Sequence, residues 1–98
     1  MKFKRCLDTD GTSLKGYVSA TYSDLFKVFG KPQFGPNDPD EDKVTCEWNL
    51  KSPDGVIFTI YDWKEERTPL DVYDWHIGGF TPDAVKVVEE ALRISNTR

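Results

Sequence analysis

The chain is short of the residues on which many small enzymes and metal proteins depend: it has one histidine and two cysteines. Cys6 and Cys46 fit no disulfide framework and no metal-binding spacing, so both are expected as reduced thiols. A zinc site would have to join His76 to two separated cysteines and acids, a poor ligand set. Any Ser-His-Asp or Cys-His arrangement would have to recruit His76, and no nucleophile elbow or reactive-cysteine context accompanies it. Basic charge is also in deficit, since 13 lysines and arginines against 17 acids leave a net charge of -4. That balance argues against a general nucleic-acid binder, yet suits a DNA-mimicking decoy or a protein that docks on a basic partner. No apolar run approaches membrane length, and Met-Lys-Phe-Lys-Arg-Cys leads into no signal-peptide core. A soluble, intracellular protein is therefore expected.

Hydrophobic residues make up only 38% of the 98, but aromatic residues reach 13%. Large rings bury much area per residue, so a single domain can rest on a small core and hide about two-thirds of its unfolded surface. Residues 1–15 read as a polar N-terminal segment and 95–98 as a frayed tail.

Between these ends, residues 16–22 alternate as a short strand with Tyr17, Ser19 and Thr21 on one face. "YSDLFKVFGKP" then predicts a helix of barely two turns. Ser23 is its expected cap, Tyr22, Leu25, Phe26, Val28 and Phe29 its apolar stripe, and Gly30 and Pro32 its stop. Residues 33–42 read as an acidic loop. Residues 43–51 alternate cleanly, with Val44, Cys46, Trp48 and Leu50 on one face. "SPDG" at 52–55 is a hairpin connection. The return strand, Val56 to Trp63, is apolar on both faces and is expected to be central and covered on both sides. Residues 73–79 form a short extended segment ending in Gly78-Gly79. Thr81, Pro82 and Asp83 then open a helix expected from about 82 to about 94. The result is an α+β domain in the order β-α-β-β-(β)-α. It has a small antiparallel sheet of three to four strands, one short helix and one longer C-terminal helix.

Few stretches carry a chemical motif. "LDTDGT" matches the Asp-x-Asp-Gly-Thr of aspartyl-phosphate phosphatases, but the chain is shorter than that fold. The plainer reading is a polar turn in which Asp8 or Asp10 bonds the backbone ahead of Gly11. Asp38, Asp40, Glu41 and Asp42 could mimic phosphates or bind a cation, or simply form a solvated loop. The tripeptide Tyr-Asp-Trp occurs twice, at 61–63 and 73–75. If the two segments pair side by side, Tyr61, Trp63, Tyr73 and Trp75 could line one face of the sheet. They would form either the core under the last helix, the better assignment for Trp63, or a platform for a ligand. Gly78-Gly79 allows a close backbone approach or a bend that could open a pocket beside Trp75 and His76. Planar ligands stack on such rings, and protein interfaces use the same residue types.

The succession "SDLFKVFGKP", "DKVTCEWNLKSPDGVIFTIYDWK" and "DWHIGGF" followed by a helix resembles small proteins of bacteriophage genomes. Their pattern runs Val-Phe-Gly-Lys-Pro, a Glu-Trp strand, Thr-Ile-Tyr-Asp-Trp-Lys and Trp-His-Ile-Gly-Gly. The likeness spans about residues 16–92 and carries no catalytic assignment. It implies expression in the cytoplasm of a bacterial host and a role in countering host defence or redirecting a host process.

The leading expectation is thus non-catalytic binding, without cofactor or metal, by a homodimer or higher oligomer. Sequestration of a small nucleotide-type signal ranks first, with Trp75, His76 and Tyr73 as stacking or polar contacts and Lys64 and Arg67 holding phosphates. Capture of a host defence protein, with the acids at 38–42 as a nucleic-acid mimic, ranks second. A hydrolase using His76, with Asp8 and Asp10 as metal ligands, ranks third.

Overall fold

The computed structural model describes residues 3–6, 9–33, 45–65 and 67–96. Asp8, the acidic run Asp38–Asp42 and Val44 lie outside the described residues.

Strands Lys4–Arg5 (β1), Ser13–Ala20 (β2), Glu47–Lys51 (β3), Ile57–Tyr61 (β4) and Tyr73–Gly79 (β5) pair in the order β1-β3-β4-β5-β2. Every neighbouring pair is antiparallel. Two helices, Tyr22–Phe29 (α1) and Asp83–Asn96 (α2), complete the α+β domain. The sheet has five strands rather than three or four. The additional strand, β1, is two residues long and too short to show alternation. It lies against β3, where the Arg5 guanidinium donates to the Lys31 and Pro32 carbonyls at 3.1 and 3.4 Å. β2 begins at Ser13, inside the segment expected as a polar lead-in, and absorbs a bulge between Leu14 and Gly16.

The first helix starts earlier than its expected cap. Thr21, not Ser23, is the N-cap, and its hydroxyl accepts from the Asp24 N–H at 3.1 Å while Asp24 accepts from the Thr21 N–H at 3.2 Å. This reciprocal box satisfies two donors that a helix start leaves open, which Ser23 at the second helical position could not do. α1 buries Leu25 and Phe29. At its end the Trp48 indole N–H donates to the Gly30 carbonyl at 2.8 Å, fastening the helix to β3.

The 52–55 connection forms as expected. Ser52 N–H donates to the Val56 carbonyl at 2.9 Å, Gly55 N–H donates back to Ser52 at 2.9 Å, and Gly55 has φ +89°. The second helix opens on Thr81, whose hydroxyl accepts from the Asp83 N–H at 3.3 Å. It runs through Asn96, two residues past the expected end.

Both helices pack on one face of the sheet. Val18, Trp48, Leu50, Phe58, Ile60, Trp75 and Ile77 point there, against Leu25, Phe29, Ala84, Val88, Ala91 and Leu92. Gly79 sets the approach of α2, because a Cβ there would stand 2.5 Å from that of Ala84. Glycine is thus required for the packing rather than for a turn. Cys46 is also in this core, and burial, with Asp62 nearby, pushes its thiol up to about 12. It is packing, not a nucleophile.

Candidate functional site

β4 is central, but only Phe58 and Ile60 lie beneath the helices; no described helix covers its other face. Strand register decides what stands there. Tyr61 pairs with His76 across β4 and β5, and His76 pairs with Tyr17 across β5 and β2. Three rings therefore stand abreast. His76 stacks on Tyr61 with centroids 5.3 Å apart and meets Tyr17 edge-on at 4.9 Å. Trp63, just beyond β4, closes the group at 6.4 Å from Tyr61 and 6.5 Å from His76. Tyr17 is 52% exposed and Trp63 40%.

Gly78 shapes the floor of this face. A Cβ at that position would strike the Thr59 hydroxyl and lie 3.6 Å from the Tyr61 ring. Its absence lets Thr59 and Tyr61 settle over the β5 backbone, and Thr59 is only 5% exposed. The pair Gly78-Gly79 thus admits the expected close backbone approach, on both faces of the sheet. A groove of about 270 Å³ between Gly55–Ile57 and Phe80, Thr81 and Asp83 lies past the other end of β5 from Tyr73.

Carboxylates border the rings. Glu47 pairs with Tyr61, and Asp74, two residues from His76, accepts a hydrogen bond from the Ser19 hydroxyl at 2.5 Å. Burial raises the Tyr61 phenol above its ordinary value, and Glu47 adds to the effect. Burial also holds His76 below its ordinary value of 6.5, against the opposing pull of Asp62 and Glu65. Among the described residues His76 Nδ1 is enclosed and has no hydrogen-bond partner, and neither does Asn49 Oδ1 on the same face.

This gives a pH prediction with a defined sign. The unfolded chain binds a proton at His76 near pH 6.5, whereas the folded chain resists it until lower pH. Stability supplied by neutral His76 is present above 6.5 and is lost as pH falls through the depressed native value. Urea midpoints measured on both sides of pH 6.5 should show the wild type losing stability on acidification relative to His76→Phe. A constant difference between the two proteins would refute this.

Of the five residues singled out from the sequence, only His76 stands on the open sheet face. Trp75 is fully buried on the helix side, its indole N–H donating to the Ala20 carbonyl at 2.9 Å, so it cannot stack on a ligand. Tyr73 is half-buried against the core, and its hydroxyl accepts from the Trp63 N–H at 3.3 Å. Lys64 and Arg67 are exposed in the segment joining β4 to β5. Trp63 reverses its expected core role. Tyr61 and Trp75 point to opposite faces, so the four rings of the doubled tripeptide do not share one. Tyr17 was missed as a site residue, although its alternation with Val18 already placed the two on opposite faces.

In the 9–12 turn, Thr12 bonds the Thr9 carbonyl through both its N–H, at 3.1 Å, and its hydroxyl, at 2.8 Å. Among the described residues, no group of three or more histidines, cysteines and acids could hold a metal ion, and no helix is long and apolar enough to cross a membrane. The chain matches no family model, no curated protein and no solved structure.

Proposed function

We propose that this chain acts by non-catalytic binding and presents the open face of its sheet to a partner protein. The observation that carries this reading is the group Tyr17, Tyr61, Trp63 and His76, gathered on a face that neither helix covers, with Tyr17 and Trp63 both substantially exposed. Exposed tyrosine and tryptophan supply large, rigid contact area and often anchor protein interfaces. In the setting that the resemblance to bacteriophage proteins implies, the partner is a host factor whose capture counters a defence. A nucleotide-type ligand could also stack on these rings. However, Glu47 acts on Tyr61, and Asp62 and Glu65 act on His76, and such carboxylates repel phosphate. Catalysis by His76 is not favoured either, because its Nδ1 lacks the carboxylate that orients the imidazole in a triad.

Native mass spectrometry of the protein recovered from a bacterial host tests this reading. A complex with one host polypeptide is expected, and it should be lost in the Tyr17→Ala/Trp63→Ala double variant. A small-molecule adduct released on denaturation would replace the proposal with sequestration. A bare dimer would point to pairing of the chain with itself, for which the eight-residue strand β2, at the edge of the sheet among the described residues, offers a pairing side. A bare monomer, or a complex indifferent to the double variant, would overturn the sheet-face reading.

A further inference from the structure

We infer that two copies of this chain pair through β2, antiparallel about a twofold axis at Val18, and so join their sheets and their open faces into one. This goes beyond the sheet-face reading and does not depend on it.

The edge itself is the first support, because the two borders of the sheet are unlike. β1 is two residues long and exposes Lys4 and Arg5, and short charged strands discourage pairing. β2 has eight residues, and among the described residues no strand flanks its outer side. Its regular run is bounded at both ends. The bulge between Leu14 and Gly16 interrupts it on one side, with the Lys15 ammonium turned back to the Ser13 hydroxyl at 3.0 Å. The Thr21 cap of α1 ends it on the other, where the Ala20 carbonyl also holds the Trp75 indole N–H. Between them, Gly-Tyr-Val-Ser-Ala at 16–20 carries no charge and no proline, the usual guards of an edge. Val18 is the midpoint of this run. An antiparallel copy centred there sets Gly16 opposite Ala20, Tyr17 opposite Ser19 and Val18 opposite itself, and any other centre gives up ladder positions.

Fit against α2 is the second support, and it selects a second copy over a strand of another protein. α2 overhangs this edge, since a Cβ at Gly16 would stand 3.0 Å from a Val85 methyl. A strand laid alongside has to be slim on the helix side where it passes Val85. Gly16, Val18 and Ala20 are the helix-side residues of β2, and the paired copy brings its small Ala20 to that place. Tyr17 and Ser19 alternate to the open face, opposite His76 and Asp74. Across the seam Tyr17, 52% exposed in the single chain, covers the short Ser19 of the second copy.

Symmetry then sets the size of the assembly. The axis runs through the sheet at right angles, so both helix layers lie on one side and both open faces on the other. Each copy spends β2 and keeps only the guarded β1 as an edge, so growth stops at a dimer rather than a fibre. The rings of Tyr17, His76 and Tyr61 in one copy continue across the seam into those of the other, and each copy completes the open face of its partner.

Native mass spectrometry and sedimentation of the full chain at rising concentration should give a dimer and no larger species. Register is read by cysteine trapping in a Cys6→Ser background, with oxidised glutathione as the oxidant. Directly opposed residues have Cβ atoms about 4.5–5.5 Å apart and diagonal ones about 7–8 Å, and a disulfide closes readily only near the shorter distance. Tyr17→Cys mixed with Ser19→Cys should therefore yield covalent dimer at least about tenfold faster than either variant alone, while Lys4→Cys should yield none above background. Both substituted positions on β2 are exposed. The wild type supplies a check that needs no substitution: β2 amides directed away from β5 should lose about tenfold or more of their exchange protection on dilution. A monomer at every concentration would overturn the inference. So would equal trapping in the mixture and the single variants, trapping strongest through Lys4→Cys, or amide protection that ignores dilution. A trapped dimer that captures no host polypeptide would support the pairing and remove the sheet-face reading, whereas a host complex built on a monomer would do the reverse.

Discussion

Replacing Trp75 with alanine should destabilise the fold by roughly 3–5 kcal/mol, whereas the same change at Trp63 should cost about 1 kcal/mol or less. The two tryptophans end identical tripeptides, so the contrast isolates position from local sequence. Trp75 is fully buried, packs edge-on against Trp48 at 5.9 Å and Tyr73 at 5.2 Å, and spends its one N–H on the Ala20 carbonyl at 2.9 Å. Alanine there opens a ring-sized cavity between α1, α2 and the sheet, and it strips a carbonyl on the edge strand of its donor. A domain of this size holds about 5–15 kcal/mol in total, so the variant would sit near the unfolding threshold. Trp63 touches Tyr61 and His76 but is 40% exposed, and its backbone bond to the Tyr73 hydroxyl survives truncation. Urea denaturation followed by circular dichroism decides the matter. Equal losses at the two positions would mean that the open-face rings hold the fold together, and their availability to a partner would be lost with it.

Why the sequence misassigned these two tryptophans is a matter of register. Within one strand, alternation reliably pairs Tyr61 with the side opposite Ile60, and Tyr73 with the same side as Trp75. Nothing local states which residue of one strand faces which residue of the next. A shift of a single place exchanges the two faces of a strand, and the observed pairing of Tyr61 with His76 puts the first tyrosine opposite the second tryptophan. The signals that could be read were those complete within a few residues. The Ser52–Gly55 turn, the Thr81 cap and the apolar stripe of α2 all depend on neighbours in sequence. The Thr21 cap was also local, but its Thr-Tyr-Ser-Asp spacing was hidden by the β-like alternation of residues 16–22 that runs into it. β1 could not be read at all, because two residues have no periodicity. Of the candidate site, His76 was legible as the lone imidazole beside a glycine pair; its neighbours Tyr17 and Tyr61 arrive from other strands and are joined to it only by the sheet.

The aspartates of the doubled tripeptide should separate as sharply as the tryptophans, with Asp62→Ala costing about 3 kcal/mol and Asp74→Asn leaving stability close to wild type. Asp62 is fully buried, and its carboxylate accepts from the Thr45 N–H at 2.7 Å, the Thr45 hydroxyl at 2.5 Å and the Cys46 N–H at 3.4 Å. The Thr45 hydroxyl in turn meets that of Thr68 at 2.6 Å, so one side chain fastens the entry to β3, the exit from β4 and the segment beyond it. A buried carboxylate is tolerable only while such donors surround it, and its removal leaves the Thr45 and Cys46 N–H groups without their partner. The same anchor explains why Trp63 leaves the core. With Asp62 turned inward to hold Thr45, β4 ends at Tyr61 and the next residue is delivered to the open face beside His76. Asp74 is exposed and, among the described residues, accepts from the Ser19 hydroxyl, so asparagine can replace it with little loss. Asp62→Asn should fall between the two, since it keeps one acceptor but turns an amide toward the threonine hydroxyl. Denaturant midpoints for the three variants should therefore rank Asp74→Asn above Asp62→Asn above Asp62→Ala. If Asp62→Ala proved as stable as Asp74→Asn, the clamp would have no energetic weight, and the outward turn of Trp63 would need a different cause.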